Sequence, residues 1–408
     1  MTSSVAARLL PLQAVLLVAC SGSRGGDPAT PDEALFLDGL ARYDAANALA
    51  ADARTLADPA GRAAREAEAV AAYASAGARF ARLRAEHPTS IRVDNAAYLE
   101  GRCAYEIGTI TGERARFEEA YQFLVDAAAA HPASPLLDAI EYFCGRALFR
   151  LAEVDAAAPG AATAAVRATY ALALERFDRS LEAAAAGTWA DNAAYYGGRC
   201  EFERGVLLLN PLEPGALPPA PGTSAWSEAT AQLDAAEARL GAVPVSSSYR
   251  DNARYYLGRS LFEEPADVST ARTASLDAAV LAFDEVTALP ASSFADGARY
   301  WRGRSRYALA FWQGTGGSYA AEPLLLALGD LKTVGGASVY RDNALHWTAR
   351  AYLQLSPPAC ATPRAGDPPP ASACAARAAL AALAALSPAS PYVAQTDAYL
   401  VSAGCVCP

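Results

Sequence analysis

The chain has 408 residues and a formal net charge of −10, and its basic side chains are all Arg except Lys332. No basic run or stripe stands out, which argues against nucleic acid as a partner. The 53% hydrophobic fraction is carried by alanine, the best helix former, and only 9% of residues are aromatic. Beyond the N-terminus no stretch of about 18 apolar residues exists to span a bilayer. The composition therefore predicts closely packed helices.

In chain order, residues 1–20 read as a targeting segment rather than as fold. Arg8 is a thin positive start, Leu9 to Ala19 form an apolar core too short to span, and "LVAC" ends at Cys20. This resembles the lipobox of bacterial lipoproteins, which implies that Cys20 is lipidated and becomes the new N-terminus. An ordinary secretory signal containing a cysteine would read the same way. Residues 21–31, "SGSRGGDPATP", are polar and rich in Gly and Pro, as expected of a flexible tether. A diacylglyceryl group supplies two acyl chains, enough for stable anchoring where one is marginal. By resemblance to the usual sorting pattern, Ser21 leans towards the outer membrane.

From residue 32 onward the chain repeats itself. "VDNAAYLEGR" ends at Arg102, "LDAIEYFCGR" at Arg146, "ADNAAYYGGR" at Arg199, "RDNARYYLGR" at Arg259, "ADGARYWRGR" at Arg304 and "RDNALHWTAR" at Arg350. Counted from the glycine (Gly101, Gly145, Gly198, Gly258, Gly303, and Ala349 in the sixth copy), an aspartate always stands seven residues earlier. Ser90, Ser134, Ser247, Ser292 and Ser338 lie four before that aspartate, and a serine N-cap followed by an acid in the first turn predicts a helix start. "HPTS" at 87–90, "HPAS" at 131–134 and "LPAS" at 289–292 place a proline where the preceding helix should stop.

Before each stop runs a second helical stretch, such as "FEEAYQFLVDAAAA" at 117–130 or "LDAAVLAFDEVTAL" at 276–289, apolar at spacings of three and four. The unit is thus helix A, turn, helix B and a Pro-x-Ser link. The link is nearly constant. The A-to-B turn swells at 210–224, 313–317 and 356–374, which would decorate one edge of a solenoid. Such Pro-rich insertions are expected to bury little.

"ARYWRGRSRYALA" and "NAAYYGGRCEFERG", each following a helix B, resemble tetratricopeptide repeats. More narrowly, they are similar to the envelope lipoproteins of that class, the barrel-assembly and division-coordination type. The resemblance covers residues 32–403, with a degenerate first unit at 32–87 and a last helix at 391–403 that looks like a cap. It implies an all-α, right-handed superhelical solenoid of about seven helix pairs, followed by a Cys-containing tail at 404–408.

Six before, three before and one after the repeat glycine stand Asn95, Asn192, Asn252 and Asn343; Tyr98, Tyr142, Tyr195, Tyr255, Tyr300 and His346; and Arg102, Arg146, Arg199, Arg259, Arg304 and Arg350. Steps of three and four put them on one face of helix A. In tetratricopeptide arrays the corresponding positions line the concave groove, so the resemblance implies an Asn–Tyr–Arg ladder there. One reading is a groove for an extended segment, with Arg forks for carboxylates and Tyr faces for side chains. The other is a packing ladder in which each Arg pairs with an acid of a neighbouring helix and packs on the Tyr four before it, and its sameness from copy to copy favours it, because a ligand is rarely periodic. For binding in the groove, the irregular positions Trp301, His346 and Trp347 are the stronger candidates.

Cys360, Cys374, Cys405 and Cys407 suit a disulfide set in an oxidising envelope. Their spacing lacks the paired C-x2-4-C of common structural zinc sites. Cys103, Cys144 and Cys200 lie within A helices and read as buried thiols. No H-x-x-x-H pair, G-x-S-x-G or phosphate loop appears, and no stretch is left over for a catalytic domain. The expected function is a non-enzymatic scaffold for other envelope proteins, without a cofactor, touching the membrane through its lipid alone and facing the periplasm. The alternatives are a binding module for a small ligand or glycan, or a stalk-like part of a cell-wall enzyme system.

Overall fold

The computed structural model describes residues 30–213, 215–265, 269–289, 292–315, 318–355 and 371–402. Cys20, the tether up to residue 29, most of the 356–374 turn and the tail beyond 402 lie outside them. The described residues form fifteen helices and no strand. They are α1 (Pro31–Thr55), α2 (Pro59–Glu86), α3 (Val93–Thr111), α4 (Arg114–Ala130), α5 (Leu137–Ala156), α6 (Thr163–Ala183) and α7 (Ala190–Leu209), followed by α8 (Ser224–Ala242), α9 (Arg250–Glu263), α10 (Ser269–Thr287), α11 (Ala295–Gln313), α12 (Ala321–Lys332), α13 (Arg341–Leu355), α14 (Ala371–Leu386) and α15 (Pro391–Ser402). The chain is an all-α repeat solenoid. Its contacts divide it into two compact units, one up to Pro218 and one from Pro219. None of the helices is long and apolar enough to cross a membrane.

The odd-numbered helices are the A helices of the repeat, and α1 is a further copy, with Asp32 seven residues before Gly39. The repeat glycine is where helix B presses closest. A Cβ on Gly39 would stand 2.7 Å from Phe80, on Gly101 2.6 Å from Leu124, on Gly145 2.7 Å from Phe177, on Gly258 2.7 Å from Phe283 and on Gly303 2.8 Å from Leu331. These are closer than carbon atoms tolerate, so only glycine lets the two helices lie at this distance. The B helices contribute one apolar stripe each, as Phe117, Ala120, Leu124 and Ala127 do on α4. The A helices α3, α5 and α7 are instead buried on most of their circumference.

The repeat serine does a different job from the one its position suggests. The residues capping α3, α5, α7, α9 and α11 are Arg92, Leu136, Trp189, Tyr249 and Phe294, none with a side-chain cap. Two residues earlier, the serine Oγ accepts the N–H of that capping residue and donates to the repeat aspartate one copy back. Ser90 thus reaches Asp32 at 2.6 Å, Ser134 reaches Asp94 at 2.7 Å and Ser292 reaches Asp251 at 2.9 Å. The expected N-cap is therefore an inter-repeat clasp. Where the third copy has Gly187 instead, a Cβ there would meet Asp138 at 2.6 Å.

The capping residues supply a second inter-repeat contact. Trp189 stacks on Tyr142 at 4.9 Å, Phe294 lies against Tyr255 at 4.8 Å, Tyr340 stacks on Tyr300 at 5.2 Å and Tyr392 lies against His346 at 5.1 Å. These four aromatics thus each cover the ladder residue of the copy before them. The last helix, α15, packs its Leu400 into the α13–α14 core. It has Ala394 and Ala398 where other A helices carry the repeat Asp and Tyr.

Candidate functional site

The ladder expected from the sequence lies on one side of the A helices, but it is not an open surface. Tyr98, Tyr142, Tyr195, Tyr255, Tyr300 and His346 are buried, as are Arg102, Arg199, Asn192 and Asn252. Asn95, Asn343, Arg146, Arg259, Arg304, Arg350, Trp301 and Trp347 are half-buried. A groove lined by all of these is thereby corrected. Large side chains pack between A helices, and the ladder tyrosines, Arg102 and Arg199 are enclosed in that packing.

Four of the ladder arginines reach forward to an aromatic two residues before the next repeat glycine, or before Ala349 in its place. The guanidinium carbon of Arg102 sits 3.7 Å from the Phe143 ring centroid, Arg146 4.0 Å from Tyr196, Arg259 3.9 Å from Trp301 and Arg304 3.8 Å from Trp347. Backward, the same arginines donate to ladder hydroxyls: Arg102 to Tyr98 at 2.9 Å, Arg146 to Tyr142 at 2.8 Å and to Tyr105 at 2.6 Å, and Arg304 to Tyr300 at 2.9 Å. Four residues along the same helix a glutamate completes several of them. Glu106 meets Arg102 at 2.9 Å, Glu203 meets Arg199 at 2.8 Å and Glu263 meets Arg259 at 3.2 Å. Desolvated cation–aromatic contacts of this kind are worth up to about 2 kcal/mol each. Sequence reasoning found the Tyr four before the arginine, but it expected the acid on a neighbouring helix and missed the forward aromatic. The signal was present: a glutamate four after the arginine, and an aromatic doublet before the glycine.

The irregular copy is His346. Its Nδ1 lies 2.6 Å from Thr396 Oγ1. Burial pulls its pKa down to about 4, helped by the charges of Arg350 and Arg304, so the ring is neutral at ordinary pH. The thiols of Cys103, Cys144 and Cys200 are free and buried, and burial pushes their pKa values up, away from nucleophilic chemistry. Cys374 is disulfide-bonded, while Cys360, Cys405 and Cys407 lie outside the described residues. Among the described residues no three His, Cys, Asp or Glu side chains converge as a metal would require.

The described residues of the 210–224 turn are mostly exposed, as expected, but the turn is pinned at its start. Glu213 accepts the Thr163 backbone N–H at 2.8 Å and its hydroxyl at 2.6 Å, while Thr163 Oγ1 accepts the Leu212 N–H at 2.7 Å. These bonds hold the Glu213 carboxyl below its usual pKa at the N-terminus of α6. In the second unit, Glu237 on α8 is half-buried near Glu264 and Asp234. Burial, reinforced by those two carboxylates, raises its pKa to about 8. Between the ordinary Glu range and about pH 8 the unfolded chain releases this proton while the folded chain keeps it, so stability falls as pH rises through that window. Glu237→Gln should therefore melt above the parent at pH 9, by about 2–4 °C, and match it at pH 4. A pH-independent difference in thermal melts would remove the assignment.

No protein family and no curated protein matches the chain. Among solved structures it is similar to a circular tandem repeat protein with novel repeat topology and enhanced subunit contact surfaces, at 13% identity. That similarity covers 91% of this chain and 83% of the other, with a TM-score of 0.30. A likeness of that size does not bear on function. The repeat assignment rests on the helices and glycine contacts described above.

Proposed function

We propose that the chain is a non-enzymatic interaction scaffold of the bacterial cell envelope, tethered through a lipidated Cys20. The observation that carries the scaffold reading is an exposed apolar group on one helix pair. Phe311 on α11 is 56% exposed, and Leu325 and Leu326 on α12 are 60% and 48% exposed. Side chains of that size in water mark docking surfaces when they gather on one element. A helical repeat supports the same use, since its stability comes from neighbour contacts and its edges are free to vary. The tether reading rests on the "LVAC" sequence and the polar stretch after it.

The test is fractionation followed by cross-linking in intact cells. Cys20→Ser should move the protein from the membrane to the soluble fraction with its helix content unchanged. The parent should capture an envelope protein that Phe311→Ser with Leu325→Ser captures at least about tenfold less. A Cys20→Ser protein that still sediments after alkaline and salt washes would contradict the lipid anchor. Undiminished capture by the double serine variant would contradict the docking surface.

A further inference from the structure

Two arginines of the second unit depart from the ladder they belong to. Arg102, Arg199 and Arg259 each face a glutamate four residues on. Four after Arg304 and Arg350 stand Ala308 and Gln354. Arg304 keeps its hydrogen bond to Tyr300. Neither guanidinium has a carboxylate within ion-pair distance among the described residues.

The same two copies differ in a second, independent way. The aromatic before the glycine is Phe143 or Tyr196 in the first unit, but Trp301 and Trp347 here. Both guanidinium carbons lie over one indole, Trp347, at 3.8 Å for Arg304 and 4.4 Å for Arg350. Arg350 also lies 4.8 Å from the Tyr399 ring, and Arg304 5.6 Å from Trp301. Trp301, Arg304, Trp347 and Arg350 are all half-buried, so each keeps part of its surface in solvent. Two partly desolvated cations beside one ring, without the glutamate that Arg102, Arg199 and Arg259 have, favour an anion. The flat walls favour an anion that carries a flat apolar part.

We propose that Arg304 and Arg350, walled by Trp301, Trp347 and Tyr399, bind a small organic anion: a carboxylate or phosphate joined to a planar apolar group. A guanidinium fork matches either oxyanion with two parallel N–H donors. The neighbouring His346, neutral at ordinary pH, adds no competing charge. This site goes beyond the scaffold reading and does not depend on it, since partner capture and anion binding are separate measurements.

The experiment is calorimetric titration of the full chain with phenylacetate, phenyl phosphate, acetate and inorganic phosphate. One of the two aromatic anions should saturate a single site, and which one does identifies the headgroup. Its stripped counterpart should bind at least about tenfold more weakly. Ala308→Glu with Gln354→Glu supplies the glutamates that Arg102, Arg199 and Arg259 have, and should abolish the saturable heat without lowering the melting temperature. Arg350→Lys, which keeps the charge and loses the fork, should weaken binding about tenfold. No saturable heat with any of the four anions overturns the proposal. So does binding that survives Ala308→Glu with Gln354→Glu, or aromatic and stripped anions that bind alike.

Discussion

Arg102→Ala is expected to destabilise the first unit by about 3–5 kcal/mol, the cost of removing one partner of a buried ion pair. The Arg102 side chain is 3% exposed and Glu106 only 11%, so the orphaned carboxylate would be left largely out of water. The loss goes beyond the pair. The guanidinium carbon also lies 3.7 Å from the Phe143 centroid and within 6 Å of the Tyr43 and Tyr98 rings, so one substitution empties a joint between three copies. Glu106→Gln in the same background should recover part of the deficit, because it removes the unpaired charge and leaves only the lost packing. Urea unfolding of the four proteins in the cycle reads both effects. An Arg102→Ala midpoint equal to the parent's would mean the contact is incidental.

Gly145→Ala is the second large effect, and it runs against helix propensity. In a helix interior the exchange ordinarily stabilises by about 0.8–1.0 kcal/mol. Here the new methyl would stand 2.7, 2.8 and 2.9 Å from three carbons of the Phe177 ring, which is itself fully buried and has nowhere to move. Overpacking of this kind costs about 1–3 kcal/mol, and we expect the clash to win by about 1–2 kcal/mol. In a Phe177→Ala background the methyl should be harmless, since it enters the space the ring left. Gly329→Ala on α12 is the control. Nothing lies within 4 Å of its added Cβ, and it should be neutral or stabilising. Thermal melts that rank Gly145→Ala above the parent would remove the glycine from its role at the helix A–helix B contact.

Much of this was legible in the sequence, and the part that was not has a physical reason. The A helices, their glycine and the Asn–Tyr–Arg positions recur at fixed offsets within one helix, and local periodicity is what a single sequence displays well. The serine was visible but misread, because its partner is an aspartate one copy back, 40 residues away for Ser134 and 58 for Ser90. The capping aromatic was missed because its identity changes from Trp189 to Phe294 to Tyr340 and Tyr392. Any flat ring fills that space, so chemistry fixes the type and leaves the residue free. The ladder's face was read correctly from its spacing of three and four, but its accessibility was not. Whether the next A helix brings an aromatic close enough to cover an arginine is a tertiary fact. Glu213 shows the same limit, since a proline-rich turn gives no local sign that one carboxylate will pin it to Thr163.

Arg102 and Arg199 lie inside the array as packing rather than on its surface. Phenylglyoxal labelling, read residue by residue by mass spectrometry, tests it most directly. Arg82 and Arg114, with half-exposed side chains, are internal standards for a reachable guanidinium. Both should be modified quickly, while Arg102 and Arg199, at 3% and 8% exposure, should stay unmodified until denaturant unfolds the chain. Modification of Arg102 and Arg199 at the rate of Arg82 in the folded protein would contradict it.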